Sequence, residues 1–152
     1  AGRSGRGDSP GEVIVQTHFP NHYSLKHACS QDYERFYQQE LQFRKRFLYP
    51  PFTALANLTV KGSDENRTHT IAKGLAEKLL ESRDLHSDPL RLRVLGPAPC
   101  PLEKLKGNYR FQVLLKTTQR SELNSVIIDT IESLPAQVRR QIAVDIDPIN
   151  LL

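Results

Sequence analysis

The side chains in this chain whose types and spacing could do chemistry are mostly cationic, and they fall in two places. The first is Gly2-Arg3-Ser4-Gly5-Arg6. Two arginines three apart, each preceded by glycine, can reach into a cleft between domains and neutralise a polyphosphate. A guanidinium on a transferred phosphoryl group stabilises the charge that develops in the transition state. The same glycine- and arginine-rich stretch, residues 1 to 11, reads equally as a flexible basic tail. The second place runs from Val94 to Lys116 and carries Lys104, Lys106, Arg110 and Lys116. A cationic loop continuous with a cationic sheet face is a phosphate-binding pattern. A third grouping, His18, His22, His27 and Cys29, lacks the second cysteine and the tight pairs of a zinc site and reads as ordinary loop and helix residues.

The elements that must position the second set can be read from periodicity. Pro97, Pro99 and Pro101 forbid helix and remove backbone donors, so the stretch between the two apolar runs is expected as a loop, first proline-rich and then basic. Gly107-Asn108 signals a turn. Tyr109, Phe111, Val113 and Leu115 then alternate with Arg110, Gln112, Leu114 and Lys116, as a half-buried strand requires.

Around this stretch, residues 52 to 152 read as a compact α+β unit. Phe52, Ala54, Ala56, Leu58 and Val60 form the buried face of a first strand. Ser63 caps a helix with a stripe at Ile71, Ala72, Leu75, Ala76, Leu79 and Leu80, and Asp84 to Pro89 is a loop. Leu90, Leu92 and Val94 alternate with Arg91 and Arg93 in a second strand. After the third strand, Thr117-Thr118 caps a helix with its stripe at Leu123, Val126, Ile127, Ile131 and Leu134. Ile142, Val144 and Ile146 belong to a last strand. The order βαββαβ predicts a ferredoxin-like fold, with both helices on one face of a four-stranded antiparallel sheet. The other face would carry Arg91, Arg93, Arg110, Gln112 and Lys116, as a nucleic-acid surface or merely as a solubilising one.

Ahead of this unit, Glu12 to Thr17 reads as a short strand and Ser24 to Leu48 as one helix, with Tyr33, Phe36, Tyr37, Leu41 and Leu48 on a stripe. Pro50-Pro51 ends the helix and marks a domain boundary. The net charge of +4 is a mild basic bias. No apolar run has membrane-spanning length. The chain starts with Ala1 and contains no methionine, so it is expected to be a fragment of a longer protein. Cys29 and Cys100 match no C-x-x-C pattern and read as reduced thiols rather than a disulfide.

Ala1 to Gly7, followed by Gly11-Glu12-Val13-Ile14-Val15-Gln16-Thr17, resembles the last conserved motif of a superfamily 2 helicase, and more narrowly that of the PriA family of bacterial replication restart. Further segments fit the same family: Phe36-Tyr37 through Glu40-Leu41 with Arg44; Tyr49-Pro50-Pro51-Phe52; Val94-Leu95-Gly96-Pro97-Ala98-Pro99; Gly107, Tyr109-Arg110, Gln112 and Leu114-Leu115-Lys116; and Asp145-Ile146-Asp147-Pro148 through Leu151-Leu152. The resemblance covers essentially the whole chain.

The resemblance implies that residues 1 to 50 end the second helicase lobe. Residues 51 to 152 would be a C-terminal domain with a small ribosomal protein-like fold that contributes to binding branched or fork DNA. It implies a parent that is an ATP-driven 3′-to-5′ DNA helicase, monomeric and cytoplasmic (nucleoid-associated) in bacteria. ATP and Mg2+ would be its cofactors, with zinc held by parent residues that are not in this sequence. Single-stranded DNA-binding protein and other primosome proteins would be its partners. Gly2, Arg3, Gly5 and Arg6 would contact ATP, with Arg6 as the arginine finger and Arg3 supporting it. Arg91, Arg93, Lys104, Lys106, Tyr109, Arg110 and Lys116 would contact DNA. Lys104 and Lys106 stand where arginine is common in the family, which keeps charge but loses bidentate geometry. The chain has no Gly-Lys-Ser/Thr phosphate loop, so alone it is expected to bind nucleic acid and not hydrolyse ATP. Two other readings stay open at this point: an autonomous ferredoxin-like RNA-binding module, and a structural docking domain.

Overall fold

The computed structural model describes residues 13–88 and 90–148. The chain divides into two compact units between Gln42 and Phe43, within a helix.

In the first unit, the single helix expected from Ser24 to Leu48 is two: α1 (Tyr23–Ser30) and α2 (Tyr33–Arg46). The break falls at Gln31, whose backbone is left-handed at φ 54° and ends α1. Asp32 then starts α2, its Oδ1 accepting from the Arg35 amide at 3.1 Å. The apolar period runs on across this break, which is why periodicity alone hid it. The helices meet through Tyr23, whose ring stacks on Phe36 at 6.3 Å and whose hydroxyl donates to Glu40. Neither helix buries a residue fully, and Tyr33 is 73% exposed. Residues 13 to 17, expected as a strand, are not in one.

The second unit holds β1 (Ala54–Gly62), α3 (Glu65–His86), β2 (Leu92–Leu105), β3 (Asn108–Thr117), α4 (Arg120–Ser133), α5 (Ala136–Arg139) and β4 (Ile142–Ile146). The strands form one sheet in the order β2-β3-β1-β4, every neighbouring pair antiparallel. The two split βαβ units interlock, so the fold is ferredoxin-like. Ala56, Leu58 and Val60 of β1 and Phe111, Val113 and Leu115 of β3 face α3 and α4. They form one core with Ala72, Leu75, Leu79, Leu123 and Val126.

Several boundaries differ from expectation. β1 starts at Ala54, and Phe52 is 40% exposed. The cap of α3 is Asp64, not Ser63: its Oδ1 accepts from the Arg67 amide at 2.8 Å. Helix α3 continues through Asp84 to His86, where a loop was expected. Thr117 does not cap α4 directly; its hydroxyl accepts from the amide of Gln119, the N-cap residue, at 3.0 Å.

The largest difference is the expected central loop, which is mostly strand. β2 runs through the prolines to Leu105 as the outer strand, where missing amides are tolerable. Two register shifts, between Leu95 and Ala98 and between Pro99 and Lys104, absorb the irregularity. Gly96 permits the first: its φ is 112°, and a Cβ there would lie 2.8 Å from the Gln112 carbonyl oxygen. Lys106 (φ 50°) and Gly107 (φ 82°) make the tight two-residue turn into β3.

Both cysteines are free, Cys29 exposed and Cys100 buried. Burial pushes the Cys100 thiol above its ordinary range; Arg110, a hydrogen bond with Thr59, and Lys61 oppose this and only partly offset it. In neutral buffer a thiol-disulfide reagent should therefore modify Cys29 quickly, and Cys100 only once denaturant is added. Titration with such a reagent, read by absorbance, checks this; two fast equivalents in native buffer would contradict the burial.

Candidate nucleic-acid interface

The sheet face turned away from α3 and α4 is set by the parity of β3. Its odd positions enter the core, so Arg110, Gln112, Leu114 and Lys116 point to the other side. The antiparallel register then adds cations from neighbouring strands. Arg93 of β2 stands opposite Lys116, and Lys61 of β1 stands opposite Arg110. Four cations thus share one face in two cross-strand pairs. Arg110 and Lys116 are six residues apart along β3, so the pairs are separated by roughly 20 Å.

The pair at the Lys116 end is the more elaborated. Arg91, just before β2, joins Arg93 and Lys116 in lining a cavity of about 240 Å3 with Phe47, Leu48, Leu90 and Leu95. The Lys116 ammonium sits 3.9 Å from the centre of the Tyr49 ring, a cation–π contact that holds it at the cavity edge. Phe47 packs on Phe43 with ring centres 4.6 Å apart, and Tyr49 is 6.5 Å from Phe43, nearly parallel. These rings are positioned by the end of α2: the Tyr49 amide donates to the Arg44 carbonyl at 2.8 Å, and Leu48 adopts φ 53°.

At the other end Arg110 is held by a long hydrogen bond, Nη1 to the Leu102 carbonyl at 3.4 Å, while its buried Nε has no partner. Cys100 and Thr59 lie beside it. The face is less open than a plain sheet surface would be. Leu55, Asn57 and Thr59 of β1 point to this side and are nonetheless 2%, 9% and 7% exposed. Asn57 Nδ2 donates to Gln112 Oε1 at 3.5 Å. The expectation that only one face of β1 is buried is therefore corrected: β1 is central, flanked by β3 on one side and β4 on the other.

Lys104 and Tyr109 are placed apart from these four. They are cross-strand partners on the hairpin side that Tyr109 shares with the core, the Lys104 ammonium 4.5 Å from the ring centre and 3.2 Å from the hydroxyl. Lys106 is exposed at the hairpin tip. Gly2, Arg3, Gly5 and Arg6 lie outside the described residues. Sequence reasoning missed the contributions of Lys61, Tyr49 and Phe47. Lys61 alternates with the apolar positions of β1, but only the register brings it to Arg110. Among the described residues, no group of histidine, cysteine, aspartate and glutamate could hold a metal ion, and no helix is long and apolar enough to cross a membrane.

A designed protein with a ferredoxin fold shares 13% identity over 64% of this chain and 86% of its own, with a TM-score of 0.43. The replication restart protein PriA of Bacillus subtilis is 30% identical over 100% of this chain. Those of Chlamydia muridarum and Haemophilus influenzae are 32% and 31% identical over 98% and 99% of it. The chain spans only 19%, 19% and 20% of the length of these three relatives. The family described as the primosomal protein N C-terminal domain matches residues 45–149. With this match over most of its length, the chain belongs to the primosomal protein N C-terminal domain family, the C-terminal region of PriA.

Proposed function

We propose that this chain is the fork-DNA-binding end of an ATP-driven 3′-to-5′ DNA helicase of replication restart. In this reading residues 51 to 152 grip branched DNA, and residues 1 to 50 close the second helicase lobe. Arg6, supported by Gly2, Arg3 and Gly5, reaches ATP and Mg2+ bound mainly by other parts of the protein. Single-stranded DNA-binding protein and other primosome proteins are its partners, in the bacterial cytoplasm. The observation that carries the DNA-binding part is the gathering of Arg93, Lys116, Arg110 and Lys61 on the sheet face opposite the helices. Cations that only aid solubility need not share a face.

The test is a combined Lys61, Arg93, Arg110 and Lys116 to Ala variant, titrated against fork DNA by anisotropy over a series of salt concentrations. Each phosphate contact removed lowers the slope of log affinity against log salt by about one. The variant should bind fork DNA weakly and with a much flatter salt dependence. Unchanged affinity and slope at moderate salt would refute the DNA-face reading.

A further inference from the structure

We propose that the cavity at the Lys116 end seats an unpaired base of a single-stranded DNA arm, with the flanking phosphates on Arg91, Arg93 and Lys116. This rests on the DNA-binding reading above and gives one end of that face a distinct ligand. The cavity, about 240 Å3, is smaller than the roughly 300–1,000 Å3 of sites that enclose whole drug-sized molecules, and it suits one flat ring. Its described lining combines three cations with apolar surface and contains no carboxylate. Phe47 and Leu95, both in the lining, are 49% and 45% exposed, apolar area on which a base can stack.

An aromatic ring beside a cationic track is how single strands are held without regard to sequence, because every base has a π face. A duplex keeps its bases stacked and offers this cavity only phosphates. A short acidic peptide would be satisfied by the three cations here. The second pair, Lys61 and Arg110, lies about 20 Å further along the same face, a continuation that serves a polymer of phosphates. Tyr49, beneath Lys116, fixes the ammonium at the cavity edge rather than letting it sweep the solvent.

The experiment uses the full chain with a labelled oligothymidylate and a blunt duplex of equal length. Phe47→Leu should weaken oligothymidylate binding roughly tenfold, the worth of one stacked base, and leave duplex affinity and both salt slopes unchanged. Phe47→Tyr should bind like the parent chain. With the parent chain, a fluorescent purine analogue in the strand should be quenched on binding. Equal binding of the strand by parent and Phe47→Leu, equal losses for strand and duplex, or unquenched emission would each overturn the proposal. So would binding of an acidic, aromatic-containing peptide that Phe47→Leu abolishes while strand binding is unmoved, which would assign the cavity to a protein. A parent chain that binds duplex but no strand removes this proposal alone; one that binds neither removes the DNA-binding reading as well.

Discussion

Leu58→Ala should lower the stability of the α+β unit by about 2–5 kcal/mol, measured as a fall in the urea midpoint by circular dichroism. Leu58 is fully buried at the middle of β1, paired with Val113 of β3 on one side and Val144 of β4 on the other. Both flanking strands are fixed by continuous antiparallel register, and Leu75 and Leu79 of α3 are 1% and 0% exposed in the same core. Side chains held on three sides cannot close over the missing methyl groups, so a cavity cost adds to the lost transfer energy. Leu85→Ala is the internal control: that residue is 83% exposed on α3, and its removal should change stability by no more than about 0.5 kcal/mol. Equal midpoints for the two variants would mean that the sheet does not pack on the helices as described.

Arg6→Ala, made in a full-length protein that carries this segment together with its own nucleotide-binding motifs, should cut ATP turnover by on the order of a thousandfold or more. A guanidinium aimed at the γ-phosphate counts most where charge accumulates in the transition state, so kcat should fall much further than KM rises. Arg6→Lys should restore little, because an ammonium cannot present two parallel donors to a phosphoryl group. Steady-state ATP hydrolysis in the presence of DNA is the measurement, and normal turnover in Arg6→Ala would refute the arginine-finger assignment.

Much of the second unit was legible because its apolar residues follow two clean periods. Ala56, Leu58 and Val60, then Phe111, Val113 and Leu115, alternate strictly, and Ala72, Leu75, Ala76 and Leu79 recur at helical spacing; all are buried. The misreadings have particular causes. The prolines of β2 argued for a loop because proline is excluded from central strands, and nothing local to the sequence says that β2 is an edge. The break at Gln31 left no mark because no glycine or proline announces it.

The candidate interface was readable by parity but not by partnership. Alternation placed Arg110 and Lys116 on one face, while register decided that Lys61 joins the first and Arg93 the second. Register also set Lys104 against Tyr109, on the other side of the hairpin. The aromatic surroundings of Lys116 were hidden for another reason. Phe47 and Tyr49 follow the last turn of α2, and the left-handed Leu48 between them redirects the chain, a bend that apolar periodicity does not record.

The two rims of the sheet are unequal, and this bears on how the molecule could misassemble. Pro97, Pro99 and Pro101 have no amide hydrogen, so the β2 rim is a poor template for an incoming chain. β4 reads Ile142-Ala143-Val144-Asp145-Ile146, holds no proline, and leaves Val144 and Ile146 41% and 38% exposed. Fibril seeding or strand exchange between copies would therefore proceed from the β4 side alone, and one lysine at Val144 would be the economical gatekeeper against it.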